Sequence, residues 1–131
     1  MKKRAVIITG PGFQDEEYVY PYYRLLEAGF SLEVATKEGA IVYGKYGVPA
    51  RATMNTLDLD ANNFDLVVLP GGFEAPDRVR LLPEVLEFVR NMNTLGNNIG
   101  FFKVNDPMSD FEIFDKASTD LAQYVLKKSK I

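Results

Sequence analysis

The 131-residue chain contains no cysteine and no histidine. These two absences exclude a thiol nucleophile, a disulfide, a Cys/His zinc site and an imidazole general base. Carboxylates, lysine, tyrosine and backbone amides remain for any chemistry. A large charge imbalance is also lacking. The net charge is −3, so nothing points to nucleic acid, and lysines and arginines are scattered apart from the terminal "KKSK", a run suited to capping a helix. No stretch approaches the ~20 apolar residues of a membrane helix. The opening "MKKRAVIITG" holds an apolar run only about half of what a signal core plus cleavage site needs, and it reads instead as a first strand. Cytoplasm is the expected location, with neither membrane nor nucleic acid as a partner.

What is present suits one ordinary domain, with 47% hydrophobic and 25% charged residues. "RAVIITG" (4–10) is a continuous apolar run ending in glycine, typical of a strand buried on both faces of a parallel sheet. "FQDEEYVYPYYRLLEAGF" opens on acids, repeats apolar residues at helical spacing (Val19, Tyr22, Leu25, Leu26) and closes at Gly29, so it predicts a helix. Pro21 inside that pattern predicts a kink or a late start. "SLEVATKEG" (31–39) predicts a second strand, and "AIVYGKYGVPARA" predicts a hairpin around "GKYG". "NTLDLDANNF" reads as a polar connection with a short helical turn.

"DLVVLPGG" (65–72) predicts a third buried strand. A long helical region (74–96) follows, with Val79, Leu82, Val85, Leu86 and Val89 on one face and Pro83 as a possible divider. "NIGFFKV" (98–104) predicts a fourth strand, "NDPMSDFEIFD" a polar loop, and "KASTDLAQYVLKKSK" a final helix with Ala117, Leu121, Tyr124 and Val125 inward. Alternating strands and helices imply right-handed crossovers and a parallel sheet. The expected architecture is a single α/β domain over 1–131, a three-layer sandwich with about four central parallel strands and a side hairpin.

Three loops should meet at the carboxyl edge of such a sheet, where α/β folds place their ligands. "GPGFQDEE" could cradle an anion, but it is not "GxGxxG" and its acids would repel phosphate, so a tight turn is the simpler reading. In "LPGGFEAPDRVR" the Gly-Gly pair exposes backbone N–H groups that could form an oxyanion hole, or it is a turn. Lys103, ending the fourth strand, could be partly desolvated and nucleophilic, or could pair with an acid such as Glu17. Asp106, Asp110, Glu112, Asp115 and Asp120 lack the spacing and central glycine of a calcium loop. No metal or cofactor is implied. Tyr18, Tyr20, Tyr22 and Tyr23 occupy more than one side of the first helix, which suggests a self-association surface.

The quoted "FQDEEYVYPYYRLLEAG", "GKYGVPARA" and "FDLVVLPGGFEAPDRVRLLPEVLEFVR" together resemble the ThiJ/PfpI family of the glutamine-amidotransferase-like superfamily. The likeness is to its PfpI branch of intracellular protease-like proteins. It covers residues 1–96, and residues 97–131 do not resemble the family. It implies a flavodoxin-like sandwich, here shortened, and a dimer or larger homo-oligomer. It also implies hydrolase or glyoxalase/deglycase-like activity centred on a cysteine with a following histidine. Carried over residue by residue, Glu17 falls on the glutamate that hydrogen-bonds the cysteine. Gly72 falls in the pair lining the oxyanion hole, and Asp77 falls near the acid a neighbouring subunit offers to the histidine. The cysteine position lands on Lys103 and the histidine position on Val104.

Three readings follow. The chain is a catalytically silent scaffold, either degenerate or assembled from two α/β sources joined near Gly96. Alternatively, it is a residual enzyme using Lys103 with Glu17. Otherwise it is a flavodoxin-like module for a small anion or nucleotide.

Overall fold

Alternation within "RAVII" decides how the molecule is layered. The computed structural model describes residues 2–72, 75–79, 81–101 and 112–114. In strand β1 (Arg4–Ile8), Val6 and Ile8 enter one apolar cluster and Ala5 and Ile7 the other, all four essentially without solvent exposure. A strand buried on both faces needs a covering layer on each side. Helix α1 (Asp15–Glu27) covers one face through Tyr18 and Leu25. Helix α3 (Pro83–Leu95) covers the other through Val85, Phe88, Val89 and Met92.

The remaining strands are β2 (Ser31–Thr36), the short pair β3 (Val42–Tyr43) and β4 (Pro49–Ala50), β5 (Met54–Asn55), β6 (Leu66–Leu69), β7 (Asn98–Phe101) and β8 (Glu112–Phe114). The main sheet has the order β5-β2-β1-β6-β7-β8. Its centre, β2-β1-β6-β7, is parallel throughout, with Ala5 opposite both Leu32 and Leu66, and Val67 opposite Ile99. These are the four parallel strands the sequence predicts. β3 and β4 form the antiparallel side hairpin.

Several details differ from the sequence reading. α1 starts at Asp15, so Pro21 does not delay it. A proline removes one helical N–H donor, and here the buried ring adds to the packed face. Leu26, expected inward, is 45% exposed, and Tyr18 takes the inward position. β5 extends the parallel sheet beyond β2, and the sequence reading assigns no strand there: Met54 falls in no predicted element and Asn55 opens the segment read as a connection. The expected polar loop after β7 contains β8, which pairs antiparallel to β7 (Ile99 opposite Phe114). Three residues among acids carry too little periodicity to signal a strand, and the open edge of β7 supplies the pairing.

Pro83 does divide the helical region. Helix α2 (Ala75–Val79) precedes it and α3 begins on it, a position where its missing N–H costs nothing. α3 ends at Gly96 in a Schellman-type cap, with the Asn97 N–H donating to the Met92 carbonyl at 2.9 Å. The Asn97 Nδ2 also donates to the Phe64 carbonyl at 2.9 Å. The predicted final helix lies outside the described residues. Among the described residues, no helix is long and apolar enough to cross a membrane.

Candidate functional site: the first turn of helix α1 and the Gly71-Gly72 loop

The loop after β1 and the loop after β6 meet at the carboxyl edge of the sheet, as the parallel topology requires. Phe13 and Gly72 form an isolated antiparallel bridge, and the Gln14 N–H donates to the Gly71 carbonyl at 2.9 Å. Gly72 has φ 132°, and a Cβ there would lie 2.7 Å from the Gly12 carbonyl oxygen and 2.8 Å from the Gln14 nitrogen. Both the conformation and the space therefore demand glycine.

Glu17 is 2% exposed, and its Oε1 accepts the Gly71 N–H at 2.9 Å. The approach is close enough that a Cβ on Gly71 would lie 2.6 Å from that oxygen. A buried carboxylate is costly unless hydrogen-bonded. Here it sits in the first turn of α1, where exposed backbone N–H groups and the helix dipole favour negative charge.

Asp15, which the sequence reading did not single out, braces the other side. Its Oδ1 accepts the Tyr46 N–H at 2.8 Å and its Oδ2 accepts the Val48 N–H at 2.9 Å. The Gly12 N–H donates to the Tyr43 carbonyl at 2.9 Å, and the Lys45 N–H donates to the Phe13 carbonyl at 2.8 Å. One turn of helix thus holds the side hairpin with Asp15 and the Gly-Gly loop with Glu17. The sequence shows only three consecutive acids, Asp15 to Glu17, opening the helix, which does not tell which of them reach backbone amides elsewhere. Next in the chain, Tyr18 packs on Phe13 with ring centroids 5.1 Å apart. Burial first, then repulsion from Tyr22 and Tyr23, pushes its phenol from 10.0 up to about 12.

Of the four residues the sequence nominates, the structure brings Glu17 and the Gly71-Gly72 loop together. Asp77 lies in α2 after that loop, and its side chain lies outside the described residues. Lys103 also lies outside the described residues. Among the described residues, no three His, Cys, Asp or Glu side chains form a metal-binding group. The arrangement orders backbone amides, and its one placed candidate for acid–base work, Glu17, already accepts a hydrogen bond from the loop.

Comparison with known proteins identifies the family and the fold. The DJ-1/PfpI family matches residues 3–101, so the match runs through β7. The protein named deglycase PfpI from Pyrococcus furiosus is 34% identical over 96 residues, which are 73% of this chain and 57% of that protein. The chain spans a little over half the length of such curated relatives. Among solved structures, a two-domain protein from Anabaena variabilis, with DJ-1/ThiJ/PfpI-like and ferritin-like domains, superposes with a TM-score of 0.75. It is 30% identical, and the superposition covers 81% of this chain and 31% of that one. Drosophila melanogaster DJ-1beta shares the fold, with a TM-score of 0.77 at 23% identity over 100% of this chain and 62% of that one. On these matches, the chain belongs to the DJ-1/PfpI family.

Proposed function

We propose that this chain is a DJ-1/PfpI-family domain without cysteine-centred catalysis, and that it acts as an α/β scaffold able to self-associate. The observation that carries the reading is the Glu17–Gly71 hydrogen bond in a sequence with no cysteine or histidine. The carboxylate that would orient a thiol instead holds a backbone loop. An oxyanion hole and an orienting carboxylate cannot carry out nucleophilic hydrolysis alone; triads stripped of a member elsewhere retain only about 10³ to 10⁴-fold acceleration over water. Self-association is supported by aromatic surface on two adjoining elements: Tyr20 and Tyr23 on α1, and Tyr43 and Tyr46 on or beside the hairpin, are each more than half exposed.

The test is turnover. The purified chain, given methylglyoxal-modified amines, peptides and esters, should show background rates that Lys103→Ala leaves unchanged. Sedimentation should show a dimer or larger species. The 34% identity to a protein named a deglycase favours one rival, in which Lys103 acts as an amine nucleophile beside Glu17. Borohydride trapping of an aldehyde adduct on Lys103, with turnover that Lys103→Ala abolishes, would replace the scaffold reading with that one.

A further inference from the structure

A cavity of about 400 Å³ opens at the same edge of the sheet and shares no residue with the brace around Glu17. It lies between the loops that follow β1 and β2 and the end of helix α2, where Gly10 and Pro11, Lys37 and Glu38, and Arg78 and Val79 respectively line it. Ligands of open parallel sheets bind outside the carboxyl ends of the strands, where the strand order reverses, and in this sheet that reversal falls at β1. The volume falls within the small end of the metabolite-sized range.

The walls have two characters. Pro11, Val42, Val79 and Leu82 offer an apolar surface, while Lys37, Arg78 and Glu38 offer charge. Lys37 and Arg78 present two cationic groups to an anion, and the Glu38 carboxylate beside them would repel the second charge of a dianion. Arg78 is itself engaged within the chain, yet a guanidinium has five N–H donors and matches a carboxylate in plane. The rim is held in shape before any ligand arrives. The buried Thr36 hydroxyl donates to the Ala40 carbonyl at 2.6 Å, the Ala40 N–H returns to the Lys37 carbonyl at 3.2 Å, and between them Glu38 is kept at φ 61°. Left-handed backbone at a non-glycine residue costs energy and persists where the surroundings enforce it.

We propose that this cavity binds a small organic monocarboxylate with an apolar body, its carboxylate held by Lys37 and Arg78 and its hydrocarbon part set against Val42, Val79 and Leu82. The site stands independently of the reading given to Glu17.

Amide NMR titration of the full chain with 3-methylbutanoate tests it, with 3-methylbutanamide and inorganic phosphate as comparisons. The expected result is saturable shifts at Gly10, Lys37, Ala40, Val42 and Val79, with a Kd of about a millimolar or below. The neutral amide and phosphate should each bind at least about tenfold more weakly, as should the carboxylate to Lys37→Ala or Arg78→Ala. Absence of saturable shifts, equal binding of carboxylate and amide, tighter binding of phosphate, or variants that bind as well as the wild type would each overturn the assignment. Should Arg78→Ala fail to fold, Lys37→Ala and the comparison of the three ligands on the unaltered chain still decide it.

Discussion

The Glu17 carboxylate and the Gly71 amide stand 54 positions apart in the chain and 2.9 Å apart in the fold. That contact joins the first helix to the loop after the third central strand. Asp15, two residues earlier, joins the same helix turn to the side hairpin. The carboxyl edge of the sheet is therefore organised by two acids whose acceptor atoms face backbone N–H groups.

Replacing Asp15 by Asn should loosen the hairpin without unfolding the sheet. An asparagine has one oxygen for two donors, and its NH₂ group opposes one of them. Amide exchange at Tyr46 and Val48 should quicken by roughly tenfold or more, as expected for losing a hydrogen bond to a charged group. Exchange at Ile7 and Val67 in the central strands should stay as slow as before.

Gly72→Ala should be among the more damaging single substitutions. The left-handed φ of 132° and the 2.7 Å approach to the Gly12 carbonyl oxygen act together. A loss of at least about 2 kcal/mol in urea unfolding is expected, with the Phe13–Gly72 bridge opened. Gly29, also at positive φ but with open space around it, should cost less when changed to Ala.

How far the sequence alone revealed this depends on the signal available at each place. The apolar runs of β1 and β6 spoke plainly, because burial on both faces leaves little choice, whereas the long helical region did not fix on its own whether Pro83 divides it. Glu17's place at the site follows from family likeness, since no local pattern says that a glutamate in the first turn of a helix will meet an amide in a distant loop. Asp15 was passed over for the same reason: its two partners lie more than 30 residues away and are backbone groups, which a sequence does not distinguish. β5 and β8 were missed because strands of two and three residues are made by their neighbours and not by their own periodicity.

Thr9 offers a test of burial without compensation. Its side-chain hydroxyl is buried just after β1 and has no hydrogen-bond partner among the described residues. Removing an unpaired buried hydroxyl while keeping the branched shape should be neutral or stabilising by up to about 1 kcal/mol. Urea unfolding of Thr9→Val checks this; a loss of stability would reveal a partner such as a buried water.

Tyr18 should govern part of the alkaline limit of stability. Its phenol is raised from 10.0 to about 12 in the folded chain, so the unfolded form releases the proton more readily. The associated stability is intact below pH 10 and drains away as pH rises through about 12. The amount is on the order of 3 kcal/mol at most. Tyr18→Phe should flatten the fall in stability between those two pH values, read by unfolding curves, and should remove one late phenol from the ultraviolet titration.

The central claim is that Glu17 serves as a brace for the Gly71 loop, and the equilibrium unfolding of Glu17→Ala, set beside Glu17→Gln, tests it most directly. Truncation leaves a buried N–H without an acceptor, so the alanine variant should lose about 1–3 kcal/mol, with the glutamine variant falling between it and the wild type. An alanine variant as stable as the wild type, in a chain whose turnover disappears with the same substitution, would contradict the claim.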